Sequence, residues 1–277
     1  MNLGIVGHGV VGKAVETLLQ RGKHDIIIYD AFQEPYRSPQ RRSEINHCDL
    51  VFVAVPTPEA ADGRCDVSAV EEVVGWVEVP TCIKSTVPPG TVNRLAAKFN
   101  PRLCFSPEYV GETTWHPWKD IENYGFLIVG GDPATCNLVL AAYQAGLGPL
   151  PRYYMTDSTT AELCKYMVNT YLATKVAFVN QFYDLAQALG VNFNELRELW
   201  LADERIGRSH TIVTEERGFR GRCFPKDMAA IIQAAKALGC APLLEAIDRY
   251  NDEVCRPAGE SRLAGGAGRL TKEAGGK

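Results

Sequence analysis

The sequence predicts an α/β fold, in which a Rossmann-like, doubly wound parallel sheet is followed by an all-helical domain. Short β-branched runs alternate with helical patterns in the first half of the chain, which is typical of a parallel sheet covered on both faces. A glycine-rich turn follows the first run, and a long stretch without proline begins near Thr156. We expect a Rossmann-like domain at 1–155, a helical domain at 156–255 and a disordered tail, rich in Gly and Ala, at 256–277.

Six apolar runs predict the strands of the sheet. In chain order they are "LGIVG", "DIIIYD", "DLVFVAVP", "PTCIKS", "RLCFSPE" and "GFLIVGG". Each run is short and bounded by Gly, Pro or polar residues, as strands buried on both faces are. The helical patterns between the runs then supply the crossover connections of a parallel sheet.

A single long helix is predicted from Thr156 to Gly190, where a glycine is suited to end it. Thr159 and Glu162 have the spacing of a capping box at its start. A helix of this length exceeds what a small domain covers, so we expect a homodimer through 156–190. Three further helices are predicted at "NFNELRELWLA", "PKDMAAIIQAAKALG" and "APLLEAIDRYNDEV".

Composition and charge restrict the class of partner. The chain has 277 residues with 46% hydrophobic content, which suits one or two globular domains. A net charge of −4 argues against a dedicated nucleic-acid binder. We find no apolar run of membrane-spanning length and no signal-peptide pattern at the start, so we expect a cytoplasmic protein with a small-molecule partner.

The nine cysteines are odd in number, scattered and never spaced as CxxC. This distribution disfavours both a disulfide scaffold and a zinc site, so we expect no bound metal. Most of these thiols are expected to be small buried hydrophobes.

The turn after the first strand has the spacing of a dinucleotide-binding fingerprint. Gly7, Gly9 and Gly12, with Val10 and Val11 between them, stand between an apolar strand and an amphipathic helix. The glycines allow a tight turn, backbone approach to a pyrophosphate, and close packing of helix on strand.

Asp30 ends the second strand, where an acid can accept hydrogen bonds from both ribose hydroxyls of an adenosine. A carboxylate at this position repels a 2′-phosphate, so NAD is expected rather than NADP. The alternative is a glycine turn that binds nothing, with Asp30 capping a loop.

A second group of polar residues follows the later strands and the long helix. Loops after parallel strands meet at the carboxyl edge of the sheet, where ligands of open α/β folds bind. These loops contribute Val55, Thr57 and Pro58 from "VAVPTP", Ser85 and Thr86 from "KSTVPPGT", and Glu108 and Glu112 from "FSPEYVGE". Glu162, Lys165 and Asn169 share one face of the long helix, and "GFRGRCFPKD" carries Cys223 and Asp227.

The order of these motifs resembles the nucleotide-sugar 6-dehydrogenases, exemplified by UDP-glucose and GDP-mannose dehydrogenases. The resemblance extends from Met1 to about Val254 and includes GIVGHGVVG, VPTP, KSTVPPGT, SPEYVGE, AELCKYMVNTYLATKVAFVN, RIG and GFRGRCFPKD. It implies oxidation of a primary alcohol at carbon 6 to a carboxylate with two NAD⁺. In this chemistry the Cys223 thiolate adds to the aldehyde, and a thioester forms and is hydrolysed.

The resemblance also implies individual roles. Lys165 would stabilise oxyanions and Asn169 would fix the carbon 6 oxygen. Asp227 would orient water or transfer a proton. Glu108 would assist thioester hydrolysis, Thr86 would position a water, and Glu112 would lie near the nicotinamide. A glycine-rich loop beside Arg222 and Lys226 would favour the Cys223 thiolate.

The sequence departs from the family pattern in two places. Members of the family continue into a second Rossmann-like domain that binds the nucleotide. We therefore expect recognition to come from the remaining halves of the site or from a partner subunit, or the substrate to be different and smaller. The loop GFGGSC or GFGGTC of the family has Arg220 in place of a glycine and Arg222 in place of a hydroxyl residue. We hypothesise that these two arginines, with Arg205, Arg208 or His210, capture a phosphate or carboxylate of the substrate.

Other interpretations of the same residues remain open. Cys223 can be one more buried thiol, Lys165 and Asn169 a solvated helix stripe, and Asp227 a first-turn acid favoured by the helix dipole. For the whole protein, one alternative is a single-step hydroxyacid-type dehydrogenase, which needs no cysteine. Another is an NAD-binding protein without catalytic activity.

Overall fold

The computed structural model describes residues 1–110 and 125–255. Its strands are β1 Asn2–Val6, β2 Asp25–Tyr29, β3 Leu50–Val53, β4 Thr81–Ile83, β5 Leu103–Phe105, β6 Phe126–Gly131 and β7 Arg152–Thr156. Its helices are α1 Val10–Arg21, α2 Pro39–Ile45, α3 Ser68–Val74, α4 Thr91–Lys98, α5 Pro133–Leu147, α6 Ser158–Leu189, α7 Phe193–Trp200, α8 Phe224–Ala237 and α9 Pro242–Cys255.

The seven strands form a sheet in the order β2-β1-β3-β4-β5-β6-β7. All six predicted strands are confirmed. The strand pairs are parallel except β5 with β6, which pair antiparallel, so the sheet is mixed rather than purely parallel. Strand β7 was missed by the sequence analysis, because "RYYMT" at the sheet edge is mostly exposed and lacks a buried β-branched run.

Helices cover both faces of the sheet, which confirms the doubly wound fold. On one face, Leu3 and Ile5 of β1 belong to a core cluster with residues of α1 and α5. On the other face, Val6 of the same strand packs in a cluster with Ile45 of α2 and Val73 of α3. Successive strand residues point to opposite faces, so one short strand contributes to both cores.

The chain divides into two compact units. The first contains Met1–Thr170 and Lys226–Ala241, and the second contains Tyr171–Pro225 and the chain from Pro242. Helix α6 contributes to both units, whereas the domain boundary predicted from the sequence lies in front of this helix. Within the described residues, no helix has both the length and the apolar character needed to cross a bilayer.

Helix α6 has 32 residues, and Gly190 follows it with a φ of 69°, as predicted for its end. The predicted capping box is wrong. Asp157 caps the helix by accepting hydrogen bonds from the backbone N–H of Thr160 at 2.9 Å and from its hydroxyl at 2.6 Å. Glu162 points elsewhere, because its carboxylate accepts from the backbone N–H groups of Gly90 at 2.5 Å and Val92 at 2.8 Å.

The Glu162 carboxyl links α6 to the N-terminus of α4 and makes stability depend on pH. Burial raises its pKa to about 7 against the opposing effect of the two backbone hydrogen bonds. A raised acid pKa contributes stability below the unfolded-state pKa near 4.5, and this stability is lost as pH rises through 7. We predict that wild type loses about 2 kcal/mol more unfolding free energy than Glu162→Gln between pH 5 and 8, measured by urea denaturation.

The control for this prediction is Glu72→Gln, because Glu72 is an exposed glutamate on α3. This variant should keep the pH dependence of wild type. Parallel stability curves for wild type and Glu162→Gln across this pH range would contradict a titrating carboxyl at this position.

Candidate active site

The fingerprint glycines have the backbone geometry that a pyrophosphate cradle needs. Gly7 has a φ of 92°, and a Cβ there would lie 2.6 Å from the Ala54 carbonyl oxygen. A Cβ at Gly12 would lie 2.1 Å from the carbonyl oxygen of Gly7. A Cβ at Gly9, directly before α1, would meet no atom within 4 Å. The loop is therefore tightly packed beneath and open at the helix N-terminus, which fits a bound dinucleotide.

Asp30 ties the end of β2 to this loop. Its Oδ2 accepts from the backbone N–H of His8 at 2.8 Å and from Nε2 of Gln33 at 3.3 Å. Its Oδ1 accepts from the backbone N–H groups of Phe32 at 2.8 Å and Gln33 at 3.1 Å. The carboxylate is 7% exposed and holds the glycine loop in place. Its predicted bonds to the ribose stay a prediction.

The loops after β3 and β4 lie side by side at the carboxyl edge of the sheet. The Thr57 hydroxyl donates to the Thr86 carbonyl at 2.8 Å, and the Ser85 hydroxyl donates to the Val55 carbonyl at 2.7 Å. These four predicted residues are thus brought together, with Pro58 exposed on the same loop. Strands β2 and β3 lie on opposite sides of β1, so the direction in which strands are added to the sheet changes at β1. In open α/β sheets, ligands bind at the carboxyl ends of the strands at such a point.

A buried polar network joins α6, α8 and the segment after β5. Lys165 Nζ donates to the Glu108 carbonyl at 2.6 Å and lies 3.5 Å from Asn169 Oδ1. Asn169 Nδ2 donates to Asp227 Oδ2 at 2.6 Å, and Lys226 Nζ donates to Asp227 Oδ1 at 2.7 Å. Lys165, Asn169 and Asp227 are all buried. The interpretation of Lys165 and Asn169 as a solvated stripe is therefore wrong.

Apolar and aromatic surroundings strengthen the electrostatic interactions of this network. Lys165 Nζ lies 4.9 Å from the centre of the Tyr109 ring, so the cation faces an aromatic surface. Burial raises the pKa of Tyr109 and of Tyr166 above their usual range, which keeps both phenols neutral. In such surroundings the Lys165 ammonium can stabilise an oxyanion, and the Asp227 carboxylate can accept a proton.

In the second unit, the loop that carries Cys223 is anchored at its beginning. Asn251 of α9 accepts from the Phe219 N–H at 2.7 Å and donates to the Phe219 carbonyl at 3.1 Å. Gly218 has a φ of 61°, and a Cβ there would lie 2.5 Å from the Cys255 sulfur, so only glycine fits. Cys223 itself is exposed and directly precedes α8. Its interpretation as a buried structural thiol is therefore wrong.

The basic residues predicted to capture a phosphate have local partners in the second unit. The Arg205 side chain donates to Asp203, and the guanidinium of Arg208 lies 2.8 Å from Glu198. The Arg220 side chain donates to the carbonyls of Glu216 at 3.1 Å and Cys255 at 2.7 Å.

His210 Nδ1 lies 2.5 Å from the Ser209 hydroxyl. Arg222 is exposed. A capture site for a phosphate or carboxylate built from these residues stays a prediction. The predicted cofactor residue Glu112 lies outside the described residues.

Sequence reasoning missed Lys84 and Asn251, and it placed Lys226 beside the Cys223 thiol rather than against Asp227. Lys84 forms an ion pair with Glu108, Lys226 holds Asp227, and Asn251 holds the cysteine loop. Lys84 and Lys226 stand inside motifs already recognised, and a lysine directly after an apolar strand is a signal of a buried charge. Asn251 has no such signal. In the described ranges, no group of three His, Cys, Asp or Glu side chains is arranged to hold a metal ion.

The fold and the site define a dinucleotide-binding α/β protein, with a glycine cradle at the carboxyl edge of the sheet and a buried Lys-Asn-Asp network. Two family profiles match the chain. The NAD binding domain of the UDP-glucose/GDP-mannose dehydrogenase family matches residues 36–144, and its central domain matches residues 159–253. The chain belongs to the UDP-glucose/GDP-mannose dehydrogenase family, and its cofactor is NAD.

Similar proteins carry names of the same family. A UDP-glucose 6-dehydrogenase of Rickettsia conorii is 28% identical over 83% of this chain and 57% of its own length. One of Rickettsia prowazekii is 31% identical over 68% of this chain and 45% of its own length. The chain spans about half the length of these curated relatives. A solved UDP-glucose dehydrogenase of Pyrobaculum islandicum aligns with a TM-score of 0.78 at 26% identity, over 91% of this chain and 68% of that one.

Proposed function

We propose that this chain oxidises the primary alcohol at carbon 6 of a nucleotide sugar to a carboxylate, using NAD. The observation that carries the proposal is the buried series of hydrogen bonds from Lys165 through Asn169 to Asp227. Buried ionisable groups are costly and cluster at functional sites, so a lysine and an aspartate bridged by an asparagine amide suit oxyanion and proton chemistry. The named relatives are UDP-glucose 6-dehydrogenases, which supports this substrate class.

In the first oxidation, Asn169 holds the carbon 6 oxygen and Lys165 stabilises its negative charge as the alcohol proton leaves. Asp227 accepts that proton directly or through a water. When bound beside the glycine loop, NAD would supply the hydride acceptor that each of the two oxidation steps requires. The product of the first step is an aldehyde, which carries an electrophilic carbon for the next one.

In the second oxidation, Cys223 acts as the nucleophile. Its thiolate adds to the aldehyde carbon and forms a thiohemiacetal, which becomes a thioester when carbon 6 loses its second hydride. Thr86 positions a water that then attacks the thioester, with Glu108 assisting. The exposure of Cys223 and its place directly before α8 support this role, because the N–H groups at a helix N-terminus stabilise an anion.

Basic side chains of the second unit, exposed for the three arginines and partly buried for His210, hold the substrate anion in this proposal. Arg220 and Arg222 border the nucleophile, while Arg205 and His210 belong to the preceding segment. Arginine suits this task because its planar guanidinium pairs with phosphate or carboxylate oxygens in a bidentate manner.

A screen for NADH release over a panel of nucleotide sugars tests the proposed function. The panel covers UDP- and GDP-linked glucose, mannose and N-acetylated hexosamines, and the NADH formed is measured against the substrate consumed. Two NADH per substrate is the expected result. One NADH per substrate would instead select the hydroxyacid-type dehydrogenase. NAD binding without turnover on any member of the panel would select a non-catalytic NAD-binding protein.

We further propose that the protein acts as a homodimer through α6. Large apolar side chains stay exposed on this helix at helical spacing. They are Leu163, Met167, Tyr171, Phe178, Phe182, Leu185 and Leu189. An apolar cavity of about 190 Å³ lies beside the later part of this stripe, lined by Phe178, Phe182 and Trp200 among others. A stripe of this length is typical of a surface that another subunit covers.

Phe182→Glu is predicted to convert the homodimer to a monomer, because a charge would have to be buried without a partner in the interface. Phe182 is 42% exposed in the single chain, so folding should tolerate the change. The molar mass from light scattering on a sizing column should fall by half. Leu150→Glu is the control, because Leu150 belongs to the first unit and is 93% exposed. This substitution should leave the molar mass unchanged. A wild-type monomer, or a dimer that persists in Phe182→Glu, would refute this interface.

A further inference from the structure

Lys84 is a buried cation in the first unit that the proposed mechanism does not use. It directly follows β4 and is 1% exposed. Its Nζ donates to the Ser106 hydroxyl at 3.2 Å and to the Pro107 carbonyl at 3.3 Å, and it lies 3.4 Å from Glu108 Oε2. An ammonium has three N–H donors, and these three oxygens are all on the segment after β5. Burying a charge is costly unless it is paired, so this lysine has a specific partner.

Glu108 is held from two sides by this arrangement. Its Oε1 accepts from the backbone N–H groups of Tyr109 at 2.7 Å and Val110 at 3.0 Å. Its Oε2 faces the Lys84 ammonium, and its side chain is 5% exposed. Two backbone donors fix one oxygen, and the buried cation restricts rotation of the other.

The same segment also carries the Lys165 contact. Lys165 Nζ donates to the Glu108 backbone carbonyl at 2.6 Å, so one residue connects the two lysines. Lys84 contacts its side chain, whereas Lys165 contacts its main chain. A change at Lys84 is therefore expected to act on the carboxylate orientation first, and to leave the Lys165 ammonium in place.

We propose that Lys84 is a positioning residue that orients the Glu108 carboxylate for thioester hydrolysis, an inference that rests on the proposed function. In that step a water oxygen adds to the acyl carbon, and the carbon–sulfur bond breaks. The electron pair of that bond leaves with the Cys223 thiolate, and the Glu108 carboxylate accepts the proton of the water. A small misplacement of the accepting group lowers the rate of such a step strongly.

The two oxidation steps do not involve Glu108 as an acceptor, so Lys84 should affect them little. Loss of Lys84 should therefore leave the rapid formation of NADH in the first turnover unchanged and slow only the steady-state rate. A lysine that only stabilises the fold would instead weaken both phases together. This difference makes the inference testable by kinetics.

The experiment compares wild type with Lys84→Met, in which a side chain of similar length lacks the charge. We expect an unchanged first burst of two NADH per subunit, with kcat lowered by about 10- to 100-fold and KM changed by less than about twofold. Intact-protein mass spectrometry should find the acyl group accumulating on Cys223. Lys98→Met is the matched control, because Lys98 is an exposed lysine in the same unit and should behave as wild type.

A double-mutant cycle with Glu108→Gln separates positioning through Glu108 from other effects. If Lys84 acts through Glu108, Lys84→Met/Glu108→Gln should have the same kcat as Glu108→Gln alone. The double variant also removes both buried charges, so it keeps the inference testable should Lys84→Met fail to fold. A further fall of tenfold or more in the double variant overturns the inference.

Two further outcomes distinguish a failure of the role of Lys84 from a failure of the proposed function. A wild-type protein that forms NADH, with a Lys84→Met variant that loses burst and steady state in parallel, overturns the role of Lys84 alone. A wild-type protein that forms no NADH from any nucleotide sugar overturns the proposed function and this inference with it.

Discussion

Cys223→Ala is expected to end the reaction after the first oxidation. An aldehyde can lose a hydride only after a nucleophile has added to it, and the variant has no thiolate to form the thiohemiacetal. The NADH formed per substrate should fall from two to at most one, and steady-state turnover should fall by about 10³-fold or more. Hydroxylamine in the assay should trap the released aldehyde as an oxime, which mass spectrometry of the product detects.

Cys240→Ala provides the control for this experiment. Cys240 is also exposed, and it is not part of the motif that carries the proposed chemistry. Its loss should leave rate and stoichiometry as in wild type. If Cys223→Ala still forms two NADH per substrate at a rate near that of wild type, the covalent mechanism is wrong.

Asp30→Asn is expected to weaken NAD binding and to lower the stability of the protein, although it only replaces one carboxylate oxygen by an amide nitrogen. Each carboxylate oxygen of Asp30 accepts from two donors, so the asparagine Nδ2 must face two N–H groups in either orientation. If Nδ2 replaces Oδ2, the backbone N–H of His8 loses its acceptor inside the fingerprint loop. An unsatisfied buried N–H costs about 1–3 kcal/mol, and the loop that holds the pyrophosphate loses its anchor.

We therefore predict that the Kd for NAD rises by about 10- to 100-fold in Asp30→Asn and that the unfolding free energy falls by about 1–3 kcal/mol. Fluorescence titration with NAD measures the first quantity and urea denaturation the second. Asp25→Asn is the matched control, since Asp25 is exposed at the start of the same strand. Equal Kd values for wild type and Asp30→Asn would show that Asp30 has no part in cofactor binding.

Local patterns made much of the fold predictable. The six predicted strands, the long helix and the three helices after it depend on periodicity, glycine positions and capping signals within a few residues. Strand β7 was missed because an edge strand with exposed side chains has no buried run to reveal it. The antiparallel pairing of β5 with β6 is a contact between two strands that are separated in sequence, and no local pattern in either strand encodes its direction.

The candidate site was likewise predictable in part. Contiguous motifs such as "VAVPTP" and "KSTVPPGT" predict which residue types follow the strands at the carboxyl edge of the sheet. The partners of buried charged side chains depend on the packed fold. Glu162 binds Gly90 and Val92 rather than capping its own helix, and Lys84 pairs with Glu108. These contacts join residues that are distant in sequence, so no local pattern predicts them. A buried charge must be paired or hydrogen-bonded, and the packing of the core determines which partner lies within bonding distance.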